Sequence, residues 1–269
     1  MTKFKTIDHI EVTGKKVLVR LDLNVPMDKG KITDRTRIDR AMLTVRELID
    51  RDAIVILLSH FGRPKGQVVA EMSLYPILEV ISDAIGSNVQ FCNTSVGEVA
   101  QSAVKQLSKG DVLLLENLRF QKGEEINDIE MAKSLASLGD IYINDAFSTA
   151  HRAHASTVAI TKLLPSVAGR LMQAELEALE RVLEIPNTPV GAIIGGSKIS
   201  TKIMVLYNLV KIMDTIVIGG AMANTFLFAN GESIGNSICE RDMSSEAKNI
   251  QKEAKLNNCN IILPIDGAV

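Results

Sequence analysis

Seven polar side chains that could bind a small anion follow or flank short apolar segments in the first part of the chain. They are Asp22, Asn24, Arg37, His60, Arg63, Arg119 and Arg152. If the apolar segments are parallel strands, their carboxyl ends meet at one edge of a sheet, which is where such sheets bind ligands. Four arginines at one edge would repel one another unless they share an anion, and guanidinium groups bind phosphate and carboxylate bidentately. The pattern predicts a site for a small anion that also carries a hydroxyl group, from which Asp22 accepts a hydrogen bond.

Each of these residues also has an interpretation that involves no ligand. A lone arginine is commonly solvated or ion-paired at the surface, and Asp22 and Asn24 are typical of a turn or a cap. His60 and His151 could be structural histidines that only complete local hydrogen bonds. His151 and His154 are three residues apart, but no further ligands occur at metal spacing, so no metal site is predicted.

Two glycine turns in the second part of the chain suit phosphate groups. Each turn follows an apolar segment and leads into a predicted helix, whose N-terminus offers free N–H groups and a positive dipole end. Glycine lets a phosphate or a nucleotide ring approach the backbone closely, and nearby lysines add positive charge. The residues concerned are Gly195, Gly196, Lys198, Lys202, Gly219 and Gly220. The alternative is a tight strand-to-helix turn without a ligand, and neither turn matches the P-loop or the dinucleotide-binding pattern.

The elements that must position these residues alternate along the chain. Apolar runs predict strands over residues 17–21, 53–58, 88–92, 112–115, 141–143, 190–194, 215–218 and 261–263. Amphipathic spacing predicts helices over residues 34–50, 73–85, 126–138, 169–184, 200–213, 221–229 and 244–257, with Ser73 as an N-cap. Strands that alternate with helices in this way indicate parallel sheets in an α/β fold.

The alternation occurs in two blocks, on either side of the long helix that begins at Gly169. We therefore predict two lobes with parallel sheets on either side of a long helix. The predicted divisions are an anion-binding lobe over residues 1–168, an interdomain helix over 169–186 and a second lobe over 187–269. The two prolines between residues 185 and 189 end the helix.

Composition narrows the classes of function. Apolar residues make up 46% of the 269 residues and charged residues 23%, as in ordinary globular proteins. The net charge of −2 favours neither a nucleic acid nor an anionic membrane as a partner. The three cysteines are scattered, so we expect reduced thiols. Apolar runs fall far short of the roughly 18 residues that span a bilayer, and the first residues carry no secretory pattern. We therefore expect a cytoplasmic protein.

Six segments together resemble the successive motifs of the phosphoglycerate kinase family, in the same order and at compatible spacing. They read RLDLNVP, SHFGRP, LLLENLRF, NDAFSTAHRAH, GGSKISTK and GGAMANTF. The resemblance extends over essentially the whole chain. It implies reversible phosphoryl transfer between 1,3-bisphosphoglycerate and ADP, giving 3-phosphoglycerate and ATP, with Mg²⁺ bound through the nucleotide. It also implies two Rossmann-like lobes joined by a long hinge helix, with the second, nucleotide-binding lobe incomplete. The resemblance further implies a protein that acts as a monomer.

The resemblance assigns roles to the candidate residues. Asp22 and Asn24 hold the glycerate moiety. A basic patch surrounds 3-phosphoglycerate or 1,3-bisphosphoglycerate and consists of Arg37, His60, Arg63, Arg119 and Arg152, with Arg37 reaching the transferring phosphoryl group. Lys198 stabilises that group in transit and Lys202 binds nucleotide phosphates. The nucleotide site is lined by Gly195, Gly196, Gly219 and Gly220. The acceptor carboxylate, with a pKa of about 4, is ionised at neutral pH, so no general base is required.

The family continues beyond the motifs found here, which bears on activity. We expect the 269-residue chain to bind phosphoglycerate, to bind nucleotide weakly and to turn over very slowly or not at all. One alternative is a phosphoglycerate-binding module without turnover. Two others are a different enzyme on a similar scaffold, and a non-catalytic protein descended from the same fold. A decayed site should have lost Arg37 or Lys198, and both are present.

Overall fold

The computed structural model describes residues 4–28, 31–184 and 188–266. Residues 185–187, at the end of the predicted connection, lie outside these ranges. Contacts divide the chain into two compact units, Met1–Leu176 and Glu177–Val269. The boundary between the units therefore falls within the segment 169–186, and each unit is described separately below.

The first unit is built on a six-stranded parallel sheet. In chain order, its strands and those of a small antiparallel pair are β1 (Lys16–Arg20), β2 (Met27–Asp28), β3 (Lys31–Ile32), β4 (Ile54–Leu58), β5 (Val89–Cys92), β6 (Val112–Leu115), β7 (Ile141–Asn144) and β8 (Ser166–Ala168). The large sheet has the order β5-β6-β4-β1-β7-β8, and β2 pairs with β3. Val17 of β1 pairs with Val55 on one side and with Ile141 on the other.

Helices cover both faces of this sheet. They are α1 (Thr36–Asp50), α2 (Leu78–Ile85), α3 (Gly97–Lys105) and α4 (Ile129–Ala136). Helix α5 (Arg170–Leu183) follows β8 and contains the boundary between the two units. Alternate residues of β4 enter two separate cores: Val55 and Leu57 pack with side chains of α1 and α2, whereas Ile56 packs with side chains of α3 and α4. All five residues of β4 are buried, which explains why the strand is continuously apolar.

The strand order creates a place for ligands at the end of β1. Strand β1 lies between β4 and β7. The connection to β4 runs through α1, which packs on one face, while the connection from β6 to β7 runs through α4, which packs on the other. Where connections leave for opposite faces, a crevice opens beyond the carboxyl ends of the strands. The segments that follow β1, β4 and β7 therefore surround this crevice.

The second unit has a three-stranded parallel sheet in the order β11-β10-β9. Its elements are β9 (Gly191–Gly195), α6 (Ile203–Leu209), β10 (Thr215–Gly219), α7 (Ala221–Ala229), α8 (Ser244–Leu256) and β11 (Asn260–Ile262). Ile216 and Ile218 of β10 pack with Phe226 of α7 and Ile250 of α8 in one core. Ile193 of β9 is 85% exposed. The α/β class with parallel sheets, predicted from the alternation of elements, is confirmed.

Several predicted boundaries were wrong for local reasons. Helix α2 begins at Leu78, after a 3₁₀ turn at Tyr75–Ile77. Ser73 is not its N-cap: the Ser73 hydroxyl donates to Glu116 at 2.6 Å and accepts the N–H of Tyr75 at 3.1 Å. Asn127 has a φ of +57°, which interrupts helical geometry and delays the start of α4.

Other elements were missed or shortened. The actual cap of α4 is Asp128, whose carboxylate accepts the N–H of Met131 at 2.7 Å. Helix α3 and strand β8 were not predicted, because α3 is short and mixed in composition and β8 has three residues. Helix α6 is shorter than the predicted 200–213. Among the described residues, no helix is both long and apolar enough to cross a membrane.

The start of α5 depends on a buried carboxylate from another element. Asp145, which follows β7 and is 1% exposed, accepts the N–H of Met172 at 2.9 Å. Burial raises the pKa of Asp145 although this hydrogen bond opposes the shift. Gly169 gives the carboxylate room, because a Cβ at this position would lie 2.7 Å from the Cβ of Asp145 and closer still to its carboxylate.

We predict that Gly169→Ala lowers the free energy of unfolding by about 2–3 kcal/mol, because the new methyl group overlaps Asp145 and disturbs the cap of α5. Urea denaturation followed by circular dichroism measures the change. The matched control is Gly191→Ala, where the nearest atom outside the adjacent residues would be a carbonyl oxygen at 3.7 Å. A similar loss in both variants would contradict the explanation.

Candidate functional site

The segment after β1 carries an ion pair that joins it to α1. Arg37 Nη1 donates to Asp22 Oδ2 at 3.0 Å and to the carbonyl of Asn24 at 2.8 Å. Asp22 also accepts the N–H of Asn24 at 3.1 Å and a hydrogen bond from Ser148, which follows β7. Burial alone would raise the pKa of Asp22, but the hydrogen bonds from Ser148 and Asn24 and the charge of Arg37 hold it below its usual value. Asp22 is therefore an ionised acceptor.

Gly62 ties together the segments after β1, β4 and β6. Its N–H donates to Asn24 Oδ1 at 3.0 Å, and its carbonyl accepts from Arg119 Nη1 at 2.7 Å. Asn117 strengthens the link, because its side chain accepts the N–H of Phe61 at 3.2 Å and donates to the carbonyl of Phe61 at 2.8 Å. These bonds fix the positions of Asn24 and Arg119 relative to each other.

Arg119 is a buried cation with a spare donor. Its side chain is 3% exposed, and its Nε lies 3.3 Å from Glu125 Oε1. The Nε is nevertheless without an aligned acceptor, so Glu125 contributes charge but no hydrogen bond. Burial lowers the pKa of Arg119, and the charge of Arg152 adds to this shift, although an arginine stays protonated at any physiological pH.

His60 lies at the end of β4 and is buried, with 6% of its surface exposed. Its Nδ1 is 3.1 Å from Nη2 of Arg20, the last residue of β1. Burial lowers the pKa of His60 to about 3, helped by the charges of Arg20, Arg119 and Arg152 and opposed by Asp22. His60 is therefore neutral near pH 7 and contributes a polar group rather than a charge to the predicted basic patch.

The remaining predicted residues of the first unit are less constrained. Arg152 is half-buried, and its Nε donates to His151 at 3.3 Å. Its charge acts on both His60 and Arg119, so it belongs to the same cluster. Arg63 is exposed, next to Gly62, and has no ion pair with any residue that the structure describes. Within this unit, the structure thus gathers Asp22, Asn24, Arg37, His60, Arg119 and Arg152, with Arg63 beside them on the Gly62 segment.

One residue of this cluster was missed. Arg20 is 1% exposed and contacts His60, yet it was predicted only as a strand residue and as part of the segment RLDLNVP. The sequence signal for Arg20 was a charged residue at the end of an otherwise apolar, buried strand. A charged residue is almost never fully buried unless it is paired, so this position predicts a partner for Arg20.

In the second unit, the two glycine turns touch each other. Gly195 and Gly219 are paired at the ends of β9 and β10. The carbonyl of Gly196 accepts the N–H of Met222 at 2.8 Å. Gly220 has a φ of +67°, and a Cβ there would lie 2.9 Å from that carbonyl oxygen, so no other residue fits without moving the turn.

The lysines beside these turns differ in their surroundings. Lys202 Nζ donates to the carbonyl of Gly195 at 3.0 Å, so its charge is held against the first turn. Lys198 is exposed. Its charge helps to lower the pKa of Glu240, although the larger cause is the hydrogen bond that Glu240 accepts from Ser200 at 2.6 Å. Glu240 was not predicted, and it fixes the segment that follows Lys198.

Comparison with known proteins decides the family. The family model for phosphoglycerate kinase matches residues 7–269. The chain belongs to the phosphoglycerate kinase family. It is 56% identical to a phosphoglycerate kinase of Methylorubrum extorquens, covering 100% of this chain and 68% of that protein. It is 55% identical to the phosphoglycerate kinase of Agrobacterium fabrum, with the same coverage.

Solved structures agree. The phosphoglycerate kinase of Coxiella burnetii matches with a TM-score of 0.86 and 41% identity, over 97% of this chain and 66% of that one. That of Pyrococcus horikoshii OT3 matches with a TM-score of 0.82 and 30% identity, over 97% and 67%. The chain spans about two thirds of the length of these relatives. Membership of this family of glycolytic phosphotransferases, predicted from the six motifs, is confirmed.

We predict that acid destabilises the folded chain partly through His60. Its pKa is lowered from 6.5 to about 3 in the folded chain, so between these values the unfolded chain binds a proton that the folded chain does not. The stability that neutral His60 contributes is fully present above the higher value and is lost as the pH falls toward the lower one.

Urea denaturation at about pH 7 and about pH 4.5 tests this: the free energy of unfolding should fall by ~2 kcal/mol more in the unaltered chain than in His60→Gln. The same pH dependence in both proteins would assign the acid sensitivity to other groups.

Proposed function

We propose that the site in this chain serves the phosphoglycerate kinase reaction, the reversible transfer of a phosphoryl group between 1,3-bisphosphoglycerate and ADP to give 3-phosphoglycerate and ATP. The 269 residues alone carry out this reaction very slowly or not at all. The observation that carries the proposal is the Asp22–Arg37 pair, at 3.0 Å, within a cluster of buried and half-buried arginines at the carboxyl end of β1. A charged pair surrounded by further cations suits an anion that also bears a hydroxyl group.

Substrate recognition follows from the hydrogen-bonding groups that each side chain does not use within the protein. Asp22 is ionised and accepts a hydrogen bond from the hydroxyl group of the glycerate. The hydrogen bond from the N–H of Gly62 holds the side chain of Asn24 near Asp22. Arg37 is 48% exposed and uses one nitrogen for its two protein bonds, which leaves donors for the phosphoryl group that is transferred. Arg63, Arg119 and Arg152 bind the other negative groups of the substrate. His60 adds a neutral hydrogen-bond donor.

The chemistry needs positive charge and alignment rather than a base. In the ATP-consuming direction the nucleophile is the substrate carboxylate, which with a pKa of about 4 is already ionised. This agrees with the first unit, where Asp22 is held in an ion pair and His60 is flanked by arginines, so that neither is arranged as a general base. The cations stabilise the charge on the phosphoryl oxygens during transfer.

The glycine turns of the second unit are the proposed nucleotide site. Phosphates can approach the backbone closely at Gly195, Gly196, Gly219 and Gly220. Lys202 binds the nucleotide phosphates, and Lys198 stabilises the phosphoryl group during its transfer. No cluster of three or more histidine, cysteine or acidic residues in the described ranges could hold a metal ion. The lysine and N–H donors suit phosphate oxygens, so Mg²⁺ is held by the nucleotide itself, where it neutralises phosphate charge.

Transfer requires the two substrates to meet, and we propose that hinge closure in the region of α5 brings this about and excludes water.

We also propose that the protein works as a cytoplasmic monomer. The net charge of −2 supports the absence of nucleic-acid and membrane partners.

A second candidate function is a phosphoglycerate-binding module without turnover. It is favoured by one observation: all seven proposed substrate residues lie between Asp22 and Arg152, within the first unit. Binding and transfer are therefore tested separately.

For binding, we predict that 3-phosphoglycerate titrated into the chain in a calorimeter gives saturable heat. Arg37→Ala and Arg63→Ala should each raise the Kd at least about tenfold, because each removes a charge-assisted hydrogen bond to the anion. The matched control is Arg35→Ala, since Arg35 is exposed and ion-paired with Asp39 at 3.0 Å; its Kd should change less than about twofold. Absence of binding by a folded chain would refute the assignment of the site.

For transfer, we predict that any ATP formed from 1,3-bisphosphoglycerate and ADP depends on Arg37 and Lys198. Either alanine substitution should lower the rate about a hundredfold or more, because positive charge on the phosphoryl oxygens is lost in the transition state. Lys211→Ala is the control for Lys198, since Lys211 is an exposed lysine of the second unit, like Lys198. Measurable transfer that survives both substitutions would rule out these roles, whereas binding without transfer would favour the binding module.

A further inference from the structure

The direction of the hydrogen bond between Arg20 and His60 determines which nitrogen of the His60 ring carries the hydrogen. Arg20 Nη2 lies 3.1 Å from His60 Nδ1. A guanidinium group contains only donors and does not lose its proton in proteins. Nδ1 must therefore be the acceptor in this contact and carry no hydrogen. In a neutral imidazole the hydrogen then resides on Nε2, which makes Nε2 the donor nitrogen.

Arg20 cannot easily turn away from this contact. Its Nε donates to the hydroxyl of Ser156 at 3.0 Å, and its Nη1 donates to the carbonyl of Leu21. The residue is 1% exposed, so water is not available to replace these partners. All three bonds together set the plane of the guanidinium group and aim Nη2 at His60.

A buried carboxylate fixes the other end of the chain of bonds. The single hydroxyl hydrogen of Ser156 is donated to Glu124 Oε1 at 2.6 Å, so the same oxygen is free to accept from Arg20. The backbone N–H of Ser156 donates to Glu124 Oε2 at 3.1 Å. Glu124 is fully buried and balances the charge of Arg20 through Ser156. Every bond in the series from Arg20 to Glu124 therefore has one possible direction.

The charges around His60 agree with a neutral ring. Burial is the largest cause of its low pKa, and Arg20, Arg119 and Arg152 act in the same direction, while Asp22 opposes them. Within the described part of the chain, Nε2 of His60 makes no hydrogen bond to the protein. The donor nitrogen is thus left for another acceptor.

We propose that Arg20, anchored by Ser156 and Glu124, is a positioning residue that holds His60 as the Nε2–H tautomer so that Nε2 donates a hydrogen bond to the bound anion. The tautomer rests on geometry alone, whereas the identity of the anion as 3-phosphoglycerate rests on the proposed function.

The tautomer is measured directly by long-range ¹H–¹⁵N correlation NMR on the ¹⁵N-labelled chain at neutral pH, with His60→Gln assigning the signal. We expect an unprotonated Nδ1 and a protonated Nε2. Arg20→Met combined with Glu124→Gln removes both buried charges together, and should shift His60 toward Nδ1–H or a mixture of tautomers. Arg35→Met, at an exposed arginine, is the control and should leave the signal unchanged. A protonated Nδ1 of His60 in the unaltered chain overturns the proposal.

A double-mutant cycle then tests whether Arg20 acts through His60. The Arg20→Met/Glu124→Gln change should weaken 3-phosphoglycerate binding about tenfold in the unaltered background and less than about twofold in the His60→Gln background. Equal losses in both backgrounds would show that Arg20 acts on the anion by another route and would overturn the positioning role. If the unaltered chain binds no 3-phosphoglycerate, the proposed function and the donor role fail together, while the NMR result still decides whether Arg20 sets the tautomer.

Discussion

Positive charge is crowded at one edge of the six-stranded sheet, and the organisation of the first unit depends on how that charge is balanced. Arg20 is fully enclosed and is compensated by Glu124, which lies on a distant segment. Arg37 at the surface is compensated by Asp22. Burying an uncompensated cation costs several kcal/mol, so these acids must be delivered to the same edge as the arginines. Both cations thus have protein partners, while Arg119 Nε at the same edge has no aligned acceptor.

The same balance sets the chemical character of the site. Burial, together with the arginines around His60, suppresses its protonation, and the hydrogen bonds to Asp22 keep its carboxylate ionised. The site therefore presents permanent cations, one ionised acceptor and one neutral histidine at neutral pH. Such an arrangement is suited to phosphoryl transfer to a carboxylate, in which fixed positive charge matters more than proton transfer. Hydrogen bonds through Gly62 keep these groups in register because they connect three neighbouring strand ends.

The second unit relies on close approach of two backbones rather than on paired charges. Gly220 packs against the carbonyl of Gly196, at a distance that leaves no space for a Cβ. The adjoining helix α7 starts directly at this turn, so its first N–H groups lie at the ends of β9 and β10. Lys202 is held against the first turn by its bond to Gly195. Both the N–H groups at the start of α7 and the ammonium group of Lys202 are suitable hydrogen-bond donors for phosphate oxygens.

The sequence by itself determined the parallel α/β class, the family and the residue types of the site. Strand β6 and helix α7 were predicted with their observed bounds, because burial imposes a periodicity that is local in the chain. Helix α3, the 3₁₀ turn before α2 and the burial of Arg20 were not predictable in this way. The partner of Arg20, Ser156, lies 136 residues away, and local periodicity contains no information on such a contact. Only the tertiary structure decided that His60 is a neutral group with one defined donor, because its protonation depends on burial and on charges that the fold brings together from separate strands.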